Sequence, residues 1–143
     1  LQKTCEMTAF LNPSENSYAR FGSYKAPIYV SWSRENRSQL VRIPAAEGEY
    51  RRAELRSPDP EANPYLAFAL MIYAGLYGLE NRLDLPEPAD INLYTADEKM
   101  LTNFCRLPKD LAAARAAAFS SDFIRKHIPA AVLEVYCGKK SDR

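Results

Sequence analysis

The run Arg52-Ala53-Glu54-Leu55-Arg56 alternates charged and apolar residues and passes directly into Ser57-Pro58-Asp59-Pro60. In an extended strand, residues two and four apart share a face. Arg52, Glu54 and Arg56 are therefore expected to project together, with Ala53 and Leu55 on the opposite side. One sheet face is then Arg-Glu-Arg and the other can pack into a core. An unpaired charge in a core costs several kcal/mol, on the order of a small domain's whole stability. The charged face must therefore meet water or an anion. The two prolines fix where the strand ends and where the next element begins.

Two readings of that face stand side by side. In one it is an ordinary solvated sheet face with an Arg–Glu cross-pair. In the other it is an anion site. Arginines then act as rigid forks for phosphate or carboxylate, and Glu54 orients them or ligates a hard metal. The rigid, polar connection that follows favours the second reading. So does the setting, because five arginines (Arg37, Arg42, Arg51, Arg52 and Arg56) fall between residues 37 and 56.

The surrounding segments give an α+β expectation, with strands at about 26–56 and helices at about 64–138. Residues 1–10 read as the tail of a helix. Residues 11–24 read as an aromatic-anchored turn region carrying Arg20. Residues 26–33 alternate as a strand, residues 39–43 form a second strand closed by Pro44, and residues 50–56 form a third. The short connections make antiparallel pairing the default. Asn63 and Pro64 make a helix start, as N-cap and first helical residue. The helix that follows is apolar nearly all round until Glu80, which predicts burial on most sides. Such burial is easier in a larger protein or an assembly. Gly75 and Gly78 weaken this helix but permit close approach by a neighbour. Residues 85–93 are irregular and proline-limited. Thr95 is the expected cap of a short helix over 96–103, with Glu98 completing a capping box. Further helices are expected from Pro108, from Ser121 and from Pro129.

With 143 residues and 47% hydrophobic content, the chain suits one domain with a real core. A formal net charge of +1 gives no long-range field for nucleic acid or an anionic membrane. Three widely spaced cysteines, Cys5, Cys105 and Cys137, indicate free thiols in a reducing, cytoplasmic setting and have no metal-ligand spacing. The apolar run 65–79 is too short to span a membrane. The N-terminus has no initiator Met, so the chain reads as cut from something longer. His127 is the single histidine and is read as structural or as a surface residue. Asp59, between two prolines, is read as a turn former. Arginine cannot act as a base, but it binds and stabilises negative charge as phosphoryl transfer requires. One carboxylate does not hold a divalent metal, so further acidic ligands must come from elsewhere.

Three blocks carry a resemblance: NPSENSYARF, then WSRENRSQLVRIP, then RRAELRSPDPEANPYLAFALMIYAGLYGLENRLD. Together they resemble the C-terminal part of the glutamine synthetase catalytic domain, strongly from Asn12 to Asp84 and more weakly to the end. The resemblance implies that residues 1–143 are the C-terminal part of such a domain, roughly the last third of the protein. It implies an ATP- and Mg2+- or Mn2+-dependent ligase that joins ammonia to glutamate through a γ-glutamyl phosphate, at sites between subunits of a homo-oligomer. By the same resemblance, Arg20 and Arg56 would bind glutamate. Arg37 and Arg56 would act on the phosphoryl group and the intermediate. Arg37, Arg42 and Arg52 would hold the nucleotide's phosphates, and Glu54 would ligate a metal. Tyr94 falls in the Asn-Leu-Tyr segment that is adenylylated in the family. The family usually has Glu before Ala-Pro in the segment that helps bind ammonium. Here that position is Lys25, which places another amine acceptor, or a non-catalytic ligand-binding paralogue, beside glutamine formation. The 143 residues alone are expected to be inactive.

Overall fold

The computed structural model describes residues 1–22 and 26–138. Lys25, the position singled out for the amine, lies outside the described residues. Within them the architecture is mixed α+β, a three-stranded sheet accompanied by helices.

Helix α1 (Thr4–Leu11) opens the chain and supplies the centre of the core. Met7, Phe10 and Leu11 are buried on it and join Leu70, Leu111, Ala114, Ala118, Phe123, Ile124, Leu133 and Cys137 in one cluster. Burying Phe10 and Leu11 contributes about 1.5–3 kcal/mol each. The partner that α1 packs against most extensively is α5 (Leu111–Phe119). Its alanines allow the close approach, since Ala114 and Ala118 are fully buried. Phe10 also stacks on Tyr136 of α7 (Ala130–Cys137), with ring centroids 5.1 Å apart.

The region expected to be turns holds one short helix, α2 (Glu15–Ala19). Ser14 caps it through a reciprocal box with Ser17, which the turn-forming composition concealed.

The sheet is smaller than expected and its topology is mixed. Strands β1 (Trp32–Ser33), β2 (Val41–Arg42) and β3 (Glu54–Leu55) lie in that order. The β2–β3 pair is antiparallel, with Val41 opposite Leu55 and Arg42 opposite Glu54. The β1–β2 pair is parallel, which corrects the antiparallel default. Val41 and Ile43 donate to Ser31 and Ser33 carbonyls at 3.0 and 2.9 Å. Parallel strands ordinarily need a long crossover. Here each ladder is only two residues long, so residues 34–40 can swing out as a loop and re-enter in the same direction. Ahead of β3, residues 48–50 form a 3-10 turn in place of the expected strand start.

Helix α3 (Pro64–Glu80) begins where the sequence placed it. Asn63 accepts from the amides of Tyr65 and Leu66 at 3.0 and 3.3 Å, and Pro64 is its first residue. It closes through Arg82, a non-glycine residue in the left-handed region at φ 48°, while Leu83 donates to Gly78 at 3.0 Å. Its predicted burial on most sides is not what this chain provides. Only Ala67 and Leu70 are buried on it. Tyr65, Phe68, Ile72 and Leu79 are 84, 63, 62 and 76% exposed. Nor does a neighbour among the described residues use Gly75 or Gly78, since a Cβ added at either meets open space.

Helix α4 is one turn, Glu98–Leu101, preceded by Asp97 rather than capped from Thr95. Helices α5 and α6 (Asp122–His127) have side-chain caps, from Asp110 to the Ala113 amide at 2.7 Å and from Ser121 to the Ile124 amide at 3.1 Å. His127 stacks on Tyr73 at 4.0 Å and meets Phe123 edge-on at 5.0 Å, a packing role as expected. No helix among the described residues is long and apolar enough to cross a membrane.

Candidate functional site

The cross-strand register of β2 and β3 puts Arg42 opposite Glu54. Their side chains form a two-pronged pair, Arg42 Nε to Glu54 Oε2 at 2.9 Å and Nη2 to Oε1 at 3.0 Å. Arg52, two residues earlier on the same face, donates through Nε to Oε1 at 3.3 Å. The Arg42 hydrogen bond is the main cause that holds the Glu54 carboxyl below the usual range, and Arg52 adds to it. In return, Glu54 holds the Arg42 guanidinium more firmly protonated. Glu54 thus stands between two guanidinium groups on a half-buried sheet face.

Arg52 and Glu54 share a face, as their alternation predicts. On the other face, Leu55 packs against the core as expected, whereas Ala53 is exposed. Arg56 is half-buried and its charge reaches Tyr94. Burial raises the Tyr94 hydroxyl pKa and Arg56 opposes it.

Arg20 belongs to a second cluster, outside the sheet. Its Nε donates to Asp59 Oδ2 at 3.1 Å, and its Nη2 donates to Asn12 Oδ1 at 2.9 Å and to the Ser57 carbonyl at 2.6 Å. Asp59 is indeed a turn former, accepting from the Glu61 amide at 2.8 Å. It is also the counter-charge for Arg20. The backbone joins in, since Asp59 N donates to the Leu11 carbonyl at 2.8 Å. The rigid Ser-Pro-Asp-Pro connection is therefore bolted to the segment that carries Arg20.

Arg37 sits exposed on the 34–40 loop. What holds it is a set of buried amides and hydroxyls on either side of it. Asn36 Nδ2 and Gln39 Nε2 both donate to the Ile91 carbonyl, at 2.7 and 2.8 Å, and Ser38 Oγ reaches the same oxygen at 3.3 Å. Ser38 Oγ also accepts from the Leu93 amide at 2.9 Å. Asn36 closes its own turn by accepting from the Ser38 amide at 2.9 Å. The polar residues of Asn-Arg-Ser-Gln turn inward and the arginine turns outward. The Asn-x-Ser spacing was the available signal for that turn. Nothing local signalled the Ile91 anchor.

Beside the charged face opens a cleft of about 710 Å3. Arg34, Arg51 and Arg52 line it together with one carboxylate, Glu35, and Trp32 and Ile43 are among its apolar walls. Arg34 was not among the arginines singled out from sequence. A cleft of this size suits a small ligand, and its guanidinium groups favour a polyanion.

A family model described as "Glutamine synthetase, catalytic domain" matches residues 1–142. The chain belongs to the glutamine synthetase catalytic-domain family. A glutamine synthetase of Methanosarcina mazei is 44% identical over 141 residues, covering 96% of this chain and 32% of that protein. One from Staphylococcus aureus is 39% identical over 137 residues, covering 94% of this chain and 31% of that protein. Among solved structures, "Apo GmaS without ligand" superposes with a TM-score of 0.80 at 33% identity, over 95% of this chain and 30% of that one. "GmaS/ADP complex-Conformation 1" does so with a TM-score of 0.77 at 33% identity, over 91% of this chain and 30% of that one. The chain thus spans about a third of the length of the glutamine synthetases it matches.

Whether this glutamine synthetase segment can hold a divalent metal by itself is a matter of its donors. Among the described residues no three acidic, cysteine or histidine side chains come together to form a metal site. Glu54 is one carboxylate, with both oxygens engaged by arginine. The segment alone does not fit a hard cation, which takes six or more oxygen ligands.

Proposed function

We propose that the intact protein is a cytoplasmic, homo-oligomeric ligase that joins ammonia to glutamate at the expense of ATP, through a γ-glutamyl phosphate. The observation that carries this reading is the Arg42–Glu54–Arg52 group, whose Arg52 also lines the cleft beside Arg34 and Arg51. Arginines placed at a cleft wall bind phosphate oxygens through paired N–H donors and stabilise the charge that develops during phosphoryl transfer.

In this reading Arg37, Arg42 and Arg52 hold the nucleotide's phosphates. Arg37 and Arg56 act on the transferred phosphoryl group and the acyl phosphate. Arg20, fixed in orientation by Asp59 and Asn12, binds glutamate together with Arg56. Glu54 would serve as one ligand of Mg2+ or Mn2+ only where other acidic residues complete the set. By sequence position, Lys25 stands where the family's ammonium-binding Glu is expected. The 143 residues, taken alone, form one C-terminal unit that lacks those ligands and has no ligase turnover.

A second reading is that the acceptor is an amine other than ammonia, because Lys25 replaces the usual Glu and a cation there repels ammonium. ADP release by the intact protein with glutamate, Mg2+ and ATP tests both, comparing ammonium with a panel of primary amines. Ammonium-dependent release supports glutamine formation. Release with a primary amine alone moves the assignment to a γ-glutamyl–amine ligase. Nucleotide binding with no amine-dependent release overturns both and leaves a binding paralogue.

A further inference from the structure

Two of the three cysteines converge although 100 positions separate them. Cys5 lies in the first turn of α1 and Cys105 on the strand-like segment before Leu107. Cys5 Sγ and Cys105 Sγ both point at one acceptor, the Arg106 carbonyl, at 3.5 and 3.6 Å. Both backbones are already pinned. Cys5 is within the helix, and the Cys105 carbonyl accepts from Val30 N at 2.8 Å while Leu107 N donates to Ile28 at 2.8 Å. Both thiols line one open cavity of about 630 Å3, so a small solute reaches them. Cys105 is exposed and Cys5 half-buried, whereas Cys137 is buried in the core.

We propose that Cys5 and Cys105 are a redox-modification site, closing to an intramolecular disulfide when the protein meets a small peptide disulfide such as oxidised glutathione. The exposed Cys105 thiolate attacks one sulfur of the oxidant. The oxidant's S–S bond breaks, and one glutathione leaves with the electron pair and takes up a proton. Cys5, losing its proton, then attacks the Cys105 sulfur and expels the second glutathione. The two protein thiols give up two electrons and two protons, and one oxidised glutathione becomes two reduced molecules. Burial first, then the adjacent Cys105 and Glu6, push the Cys5 thiol up to about 12. Cys5 is therefore the slower, resolving partner. Once Cys105 is capped, its own contribution to that shift disappears, which favours closure.

The experiment treats the protein with oxidised glutathione under native conditions, followed by non-reducing peptide mapping. Equal amounts of unlabelled and nitrogen-15-labelled chains are mixed beforehand. The expected product is a Cys5–Cys105 link within one chain, reversed by reductant, with Cys137 unmodified. In Cys5→Ser, glutathione should stay on Cys105. In Cys105→Ser, Cys5 should be capped at least about tenfold more slowly than Cys105 is in Cys5→Ser, because the thiolate is the attacking form. Wild-type protein that ends with glutathione on Cys105 and Cys5 unlinked overturns the proposal, as does a linked peptide pair of which about half joins labelled to unlabelled chains, the share expected for random links between chains.

Discussion

Arg42 grips Glu54 with two N–H donors, at 2.9 and 3.0 Å, across the antiparallel β2–β3 pair. The Arg42 hydrogen bond is the main cause that holds the Glu54 carboxyl below its usual range. A carboxyl whose folded pKa is depressed contributes stability above its unfolded pKa and loses it as pH falls through the folded value. In thermal melts, the advantage of wild type over Glu54→Gln should be largest at neutral pH and should vanish below the ordinary carboxylate range. An advantage that grows on acidification would contradict the pairing.

Arg20 and Asp59 bind the first aromatic-rich segment to the Pro-Asp-Pro connection. The pair is partly exposed, so solvent screening reduces its worth. Arg20→Met, Asp59→Asn and the double variant should show a coupling of about 1 kcal/mol in urea unfolding. Asparagine keeps the turn acceptor, so the coupling reports the ion pair itself. On the proposed reading, both single variants of the intact protein also raise KM for glutamate more than they lower kcat.

Ser38 is buried and serves the Leu93 amide. Ser38→Ala should cost about 1–3 kcal/mol, because a buried N–H is left unpaired. Hydrogen exchange at Leu93 is the direct check. It should speed up well before global unfolding, while exchange within α5 should not change relative to global stability.

Leu70 and Ile72 lie one turn-fraction apart on α3 with opposite fates, at 0 and 62% exposure. In the 143-residue chain, Leu70→Ala should cost about 2–5 kcal/mol. Ile72→Gln should change stability by no more than about 0.5 kcal/mol. A comparable loss at both positions would mean that the outer face of α3 is covered in solution.

Helix starts were the most legible parts of the sequence, because their signals are local. Asn63-Pro64 and Ser121 each satisfy nearby amides. The same local reasoning found that Arg52 and Glu54 share a face. The parallel β1–β2 pair was not legible, since it depends on a loop anchored to Ile91, more than fifty positions away. The bracing of Arg20 by Asp59 was hidden for the same reason, with 39 positions between the partners. The burial of α3 misled in a different way. All-round apolarity records that a helix is meant to be covered, but it does not say by what.

Between the Asp59 bolt and the Ile91 carbonyl, the polypeptide leaves the sheet and comes back to it. Both anchor points are fixed by residues that come earlier in the chain, Leu11 and Arg20 at one end and Asn36, Ser38 and Gln39 at the other. Helix α3 is therefore a detour with both feet nailed down. Its outer surface is open to change without moving the arginines, provided that the two feet and the buried Ala67 and Leu70 stay where they are. A lineage, or an engineer, seeking new contacts on this fold has that detour as the place to remodel.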